Sequence, residues 1–203
     1  MSEYPLPPSW REGQTLQGRH ARLEALRPAH VDGLRAALAG DALSRLWYTS
    51  VPATAAVDTY VDDALQSQVR GQCVPFAIHD AQGRLVGCTR FYDLDPAVPR
   101  LSIGYTWYGP HAQRTGVNTE AKLMLLTHAF ERLKCISVAF ETSSHNAASR
   151  AAIARLGATQ EGVLRNHKRH PDGTPRDTVI FSIIDAEWQG VKRHLQHRLD
   201  SHA

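Results

Sequence analysis

No apolar run in the chain approaches the length of a membrane span, and the N-terminus lacks the basic-then-apolar pattern of an export signal. A cytoplasmic protein with no membrane partner is the expectation. Cysteine is scarce: Cys73, Cys88 and Cys135 are an odd, widely spaced set, which argues against a disulfide framework. Each lies in a strand-like apolar run, where a free thiol behaves as a small buried hydrophobe. There is no long basic run, and the net charge of +3 is too small for a dedicated nucleic-acid binder. The 11 histidines are scattered, with no zinc-binding spacing to cysteines, so no metal is expected. Internal repeats, low-complexity tracts and domain linkers are also missing. The dinucleotide fingerprint and the Walker lysine are absent too, which weakens two common phosphate-binding readings.

What is present suits one domain. The chain has 203 residues, 42% hydrophobic and 21% charged, which is ordinary for a globular core. Residues 1–18, with Pro5, Pro7, Pro8 and Gly13, read as an arm that is ordered only if Trp10 or Leu16 docks. The remainder, 19–203, reads as one domain. His20 to Leu26 alternates as a first strand. Pro28 opens a helix that Gly40 closes. Leu46, Trp47 and Tyr48 form an aromatic loop, which either lines a pocket or packs beneath the helices. Thr54 caps a second helix, ending at Gly71.

Three strands follow as an antiparallel meander: Cys73 to His79, Leu85 to Tyr92, and Arg100 to Tyr108. A long helix, Val117 to Leu133, is apolar over so wide a surface that it must pack deeply on the sheet. Cys135 to Thr142 is a strand parallel to the third meander strand through a right-handed crossover. A helix from Asn146 to Leu156, closed by Gly157, precedes two more strands (Thr159 to Asn166 and Thr178 to Ile184) and a terminal helix from Glu187. The class is α+β with a mixed sheet.

The stretch between the third meander strand and the long helix carries the chemistry. Gln113, Arg114, Thr115, Gly116, Val117, Asn118 and Thr119 lead into the helix start. The first N–H groups of a helix lack internal partners and sit at the positive end of its dipole. A strand, a glycine-containing loop and a helix start therefore make an anion site. Arg114 adds a full charge, and Gly116 lets backbone approach a ligand. Many such loops bind nothing, so the loop alone does not decide.

Four pieces in order resemble the GNAT superfamily of N-acetyltransferases, in its RimJ/RimL-like branch. They are Gly18 to Glu24; Gln113-x-x-Gly116-x-Asn118; Asn146-x-x-Ser149 followed by Leu156-Gly157-Ala158 and Glu161-Gly162; and Asp172-Gly173 with Asp177 and Glu187-Trp188. The resemblance covers about His20 to about Trp188. It implies a mostly antiparallel central sheet of about seven strands flanked by helices, splayed between the fourth and fifth. It also implies acetyl-CoA as co-substrate, a primary amine as acceptor, and a homodimer as a possible assembly.

Carried over by position, the resemblance gives the strand end Thr106, Trp107 and Tyr108 the pantetheine amides and an oxyanion-binding N–H. Residues 113 to 119 take the diphosphate. Asn146 takes the pantetheine arm, with an ordinary helix cap as the alternative. Ser149 takes the leaving thiolate, with a backbone-bonded hydroxyl as its alternative. Arg155 takes the 3′-phosphate or is a solvated charge. Two departures stand out. Ile153 occupies a position where many members carry a tyrosine acid, and the glutamate base of RimL-like enzymes falls near Lys168. The base candidates left are Glu141, at a strand end facing the cleft, and His167, of the residue type that most often moves protons near neutral pH. Each has a plain surface alternative. Three functions remain open: acetylation of a protein or peptide N-terminus, acetylation of a small amine, or acyl-CoA binding without catalysis.

Overall fold

A computed structural model describes residues 6–40 and 43–200. The alternating stretches form eight strands: β1 (Leu16–Gln17), β2 (Ala21–Ala25), β3 (Cys73–Asp80), β4 (Leu85–Asp95), β5 (Arg100–Tyr108), β6 (Ser137–Ser143), β7 (Thr159–Arg169) and β8 (Pro175–Ile184). They make one open sheet in the order β1-β2-β3-β4-β5-β6-β8-β7. Every neighbouring pair is antiparallel except β5 and β6. The strand beyond the expected seven is β1, two residues of the arm that pair with Leu23 and Arg22. Trp10 docks as well and is buried in the core. Residues 1–5, which include Pro5 of the arm, lie outside the described residues.

Five α-helices cover the sheet: α1 (Val31–Ala37), α2 (Val57–Val69), α3 (Gly116–Thr127), α4 (Ala147–Ala154) and α5 (Asp185–Asp200). Strand alternation sorts the core into two layers. Phe76, Ile78, Phe91, Leu101, Ile103, Val138 and Phe140 meet α3, α4 and α5 through Ala121, Leu125, Leu126, Ile153, Trp188 and Val191. Ala77, Cys88 and Trp107 face the other way, onto Leu34, Leu38, Val57, Val61 and Ala64 of α1 and α2. Because both faces are covered, β3 is buried along its whole length. All three cysteines are free and buried, as their apolar surroundings imply.

The long helix is shorter than its periodicity suggests. It is α-helical to Thr127, and then widens into a π-helical turn over His128–Arg132. Lys134 ends it at φ 58°, in the left-handed region that usually selects glycine. β4 runs to Asp95, three residues past the end that its alternation indicates, because Asp93 at φ 49° takes up an irregularity in the β4–β5 register.

Candidate active site

The parallel pair makes a gap. β5 and β6 are in register only at Arg100↔Ser137, Leu101↔Val138 and Ser102↔Ala139. β6 then continues against β8 alone, while β5 continues against β4. Beyond residue 102 the two strands share no ladder, and a cleft opens between their C-terminal halves. β5 also bulges there. Cys88 pairs with Trp107 and Arg90 with Gly104, so Tyr105 and Thr106 together face Thr89, and Tyr105 sits at φ 52°. A bulge beside a site re-aims side chains and leaves peptide groups off the ladder.

The loop expected to bind an anion follows immediately. Pro110–Ala112 forms a short 3-10 turn, Arg114 is left-handed at φ 61°, and Thr115 caps α3. Thr115 Oγ1 donates to the Ala112 carbonyl at 2.7 Å and accepts from Val117 N–H at 3.3 Å. Gln113 Nε2 donates to the Tyr108 carbonyl, so this side chain braces the turn. Gly116 is required by crowding: a Cβ there would lie 2.9 Å from the His20 ring. Gln113, Arg114 and Thr115 are exposed, Asn118 and Thr119 half-buried, and Val117 buried against the sheet.

The strand-end side chains behave differently from their peptide groups. Trp107 is buried under α1 and α2, and the Tyr108 hydroxyl is buried without a partner. Thr106 turns toward α3. Its Oγ1 lies 2.7 Å from Thr89 Oγ1 and accepts from Lys122 Nζ at 2.7 Å. Burial pushes the Lys122 amine down to about 7.

Across the gap, Asn146 Oδ1 accepts from Ser149 N–H at 3.0 Å, so this asparagine caps α4. That is the plain alternative weighed for it. Ser149 is half-buried on the first turn. Arg155 is exposed at the far end of α4, where its carbonyl lies 3.1 Å from His194 Nε2. Glu141 projects beside the gap but is ion-paired, with Lys168 Nζ 2.5 Å away. His167 is exposed on β7.

Sequence reasoning missed a second carboxylate. Asp93 comes from β4 and sits close enough to Glu141 for their charges to interact. Although the residue is exposed, its carboxyl end is partly enclosed. That desolvation, and then the charge of Glu141, raise its pKa above the ordinary aspartate value. Tyr92 lies next to it, its ring 5.3 Å from that of Tyr105 and packed where a Cβ on Gly104 would stand. No local motif marks Asp93; it lies near Glu141 at a second irregularity of the β4–β5 ladder, between Tyr92 and Asp95, where its own backbone is left-handed.

The aromatic loop reaches over this face. Trp47 stays 44% exposed, with its ring 5.0 Å from His145 and 4.7 Å from His170. It therefore contacts the β6–α4 junction and the β7–β8 turn. His170 is buried with Nε2 unpartnered, and desolvation lowers its pKa.

One cluster has the composition of a metal site: Glu24, His30 and His79 converge on the α1 side of the sheet. The hydrogen bonds argue for protons instead. His30 Nδ1 accepts from Arg27 N–H, which leaves Nε2 carrying the proton that faces Glu24. Arg22 already pairs with the other carboxylate oxygen.

A mixed sheet that parts at its one parallel pair, with a bulge and a capped helix start at the parting, defines a GNAT-type acetyltransferase fold. A family model described as an acetyltransferase (GNAT) domain matches residues 20–159, and the chain belongs to that family. It is 34% identical over 110 residues to a Bacillus subtilis (strain 168) protein named "Putative ribosomal N-acetyltransferase YdaF", covering 54% of this chain and 59% of that one. The match thus spans somewhat more than half of that relative. A GCN5-related N-acetyltransferase from Brucella melitensis superposes with a TM-score of 0.84 at 31% identity, over 93% of this chain and 86% of that chain. Mycobacterium smegmatis RimJ, solved in complex with CoA-disulfide, shares the fold (TM-score 0.76, 21% identity, 95% and 97% of the two chains).

Proposed function

We propose that the protein transfers the acetyl group of acetyl-CoA to a primary amine, with the N-terminal amine of a protein or peptide as the acceptor. The observation that carries this is the placement of an anion loop and a bulge at the mouth of the β5–β6 gap. The name of the Bacillus relative and the coenzyme in the RimJ structure point the same way.

In this reading the peptide nitrogens of residues 114–119 hold the diphosphate at the start of α3, where the helix dipole favours negative charge. The free edge of β5 at Thr106 to Tyr108 bonds the pantetheine amides as an added strand would. A peptide N–H of the bulge meets the carbonyl oxygen as it gains charge. Asp93 takes the proton from the acceptor ammonium: its pKa is raised, which favours proton uptake, whereas Glu141 already pairs with Lys168. The new C–N bond forms as the C–S bond breaks, and the thiolate leaves toward Ser149 on α4. Most of the acceleration comes from aligning two bound reactants.

The test is thiol release from acetyl-CoA with amidated peptides, free amino acids, a polyamine and an aminoglycoside. Release with peptides and little with the others supports the proposal. Release only with small amines moves the function to small-molecule acetylation. Tight acetyl-CoA binding without release on any amine would reduce the protein to an acyl-CoA binder.

A further inference from the structure

Arg90 is 7% exposed, yet no carboxylate of the described residues is in ion-pair distance of it. Its Nε is buried with no partner, Nη2 reaches the Tyr60 carbonyl at a long 3.5 Å, and the neutral Tyr60 hydroxyl and Cys73 thiol also lie near the guanidinium. An arginine stays charged in a protein. A buried charge without a counter-ion is costly. Here the guanidinium carbon lies 4.6 Å from the ring centroid of Tyr60 and 4.6 Å from that of Tyr105. Two aromatic faces recover part of the lost hydration. Neither the rings nor these weak acceptors give the fork of N–H donors the two-point partner that a carboxylate would.

Position gives the incompletely matched fork a purpose. Tyr105 is the bulge residue, 44% exposed beside the gap, and its ring lies against the Arg90 guanidinium. On its other side it touches Tyr92, next to Asp93 and Glu141. Tyr105 thus stands between two carboxylates, reached through Tyr92, and a cation without a carboxylate partner that lies against its own ring.

We propose that Arg90 anchors a carboxylate on the acceptor, so that the substrate is an amine carrying an acidic group a few bonds away. The acceptor ammonium then faces Asp93 and Glu141, and its carboxylate completes the ion pair that the fold leaves open between Tyr60 and Tyr105. This rests on the transferase reading for the location of the cleft, and it adds the chemical class of what enters. An acidic residue at the start of a peptide and a free amino acid offer the same chemistry.

Two matched pairs separate those sources: amidated tripeptides that differ only in aspartate or asparagine as second residue, and alanine against alaninamide. Thiol release gives kcat/KM for each. Calorimetry of the N-acetylated products measures binding without needing turnover. In the wild type, the acidic member of at least one pair is preferred about 10- to 100-fold, the range for a charge-assisted hydrogen bond. Arg90→Gln erases that preference while leaving acetyl-CoA affinity unchanged, which also shows that the variant is folded; Arg90→Lys restores part of it. Equal handling of acid and amide in both pairs, by turnover and by binding, overturns the anchor. Discrimination in binding without thiol release upholds the anchor and removes the transferase reading. Thiol release without discrimination does the reverse.

Discussion

Lys122 Nζ lies 2.7 Å from Thr106 Oγ1 and 3.4 Å from Thr89 Oγ1, with no carboxylate of the described residues paired to it. A fully buried lysine on α3 is thus tied through a hydroxyl to the residue where β5 bulges. Its pKa of about 7, against 10.5 for a free lysine, follows from desolvation.

The linkage gives a stability curve. Between about pH 7 and 10.5 the unfolded chain holds the Lys122 proton and the native chain does not. Stability therefore rises with pH across that window, by up to about 1.4 kcal/mol per unit from this group. Below pH 7 both states are protonated and the buried charge is a standing cost. Urea denaturation of the wild type and of Lys122→Met at several pH values checks this. The variant should lack the rise, and parallel curves would show that Lys122 is charged throughout.

Asp93→Asn keeps the shape and removes the proton acceptor. Its kcat should fall about 100-fold or more, the usual worth of a general base. In the wild type, activity should drop as the medium is acidified through a pKa above the ordinary aspartate range, and that limb should be absent from the variant. A variant that keeps the wild-type pH profile would move the base elsewhere, with Glu141→Gln as the next test.

Thr115→Ala removes the cap of α3 and the hydroxyl bond to Ala112. About 1 kcal/mol of stability is the expected loss. Because the same turn presents the peptide nitrogens, acetyl-CoA affinity measured by calorimetry should weaken as well, whereas Thr54→Ala on the opposite face should leave it alone.

Period and punctuation made much of this molecule readable in advance. The meander, the crossover from β5 to β6, the glycine at φ 95° that closes α4 and the asparagine that caps it are local statements in the sequence. The turn into α3 at Thr115 and Gly116 was equally legible, because a helix start is set by contiguous residues. Arg90, Asp93 and Lys122 were not. Arg90 is an alternate residue on a strand, and alternation does not say that α2 covers its face. Asp93 stands past the expected end of β4, is itself left-handed, and lies near Glu141 of β6. Lys122 lies within a helix whose apolar girth was evident, but its partner hydroxyls come from β4 and β5. Each depends on contacts between distant segments. Trp47 is intermediate: its loop was marked as pocket lining or filler, and its contacts with His145 and His170 place it over the cleft face.

Glu120 is buried on α3, one turn after Gly116, and its carboxylate accepts from the peptide N–H groups of Arg19, His20 and Ala21. One side chain thereby fastens the opening of the first long strand to the helix that would carry the coenzyme. Glu120→Gln turns one of those acceptors into a donor facing donors and should cost about 2 kcal/mol. The same change should loosen acetyl-CoA although position 120 never meets it, which calorimetry and thermal unfolding would register together. Grafting this loop into another scaffold would accordingly need its distant N-terminal brace to travel with it.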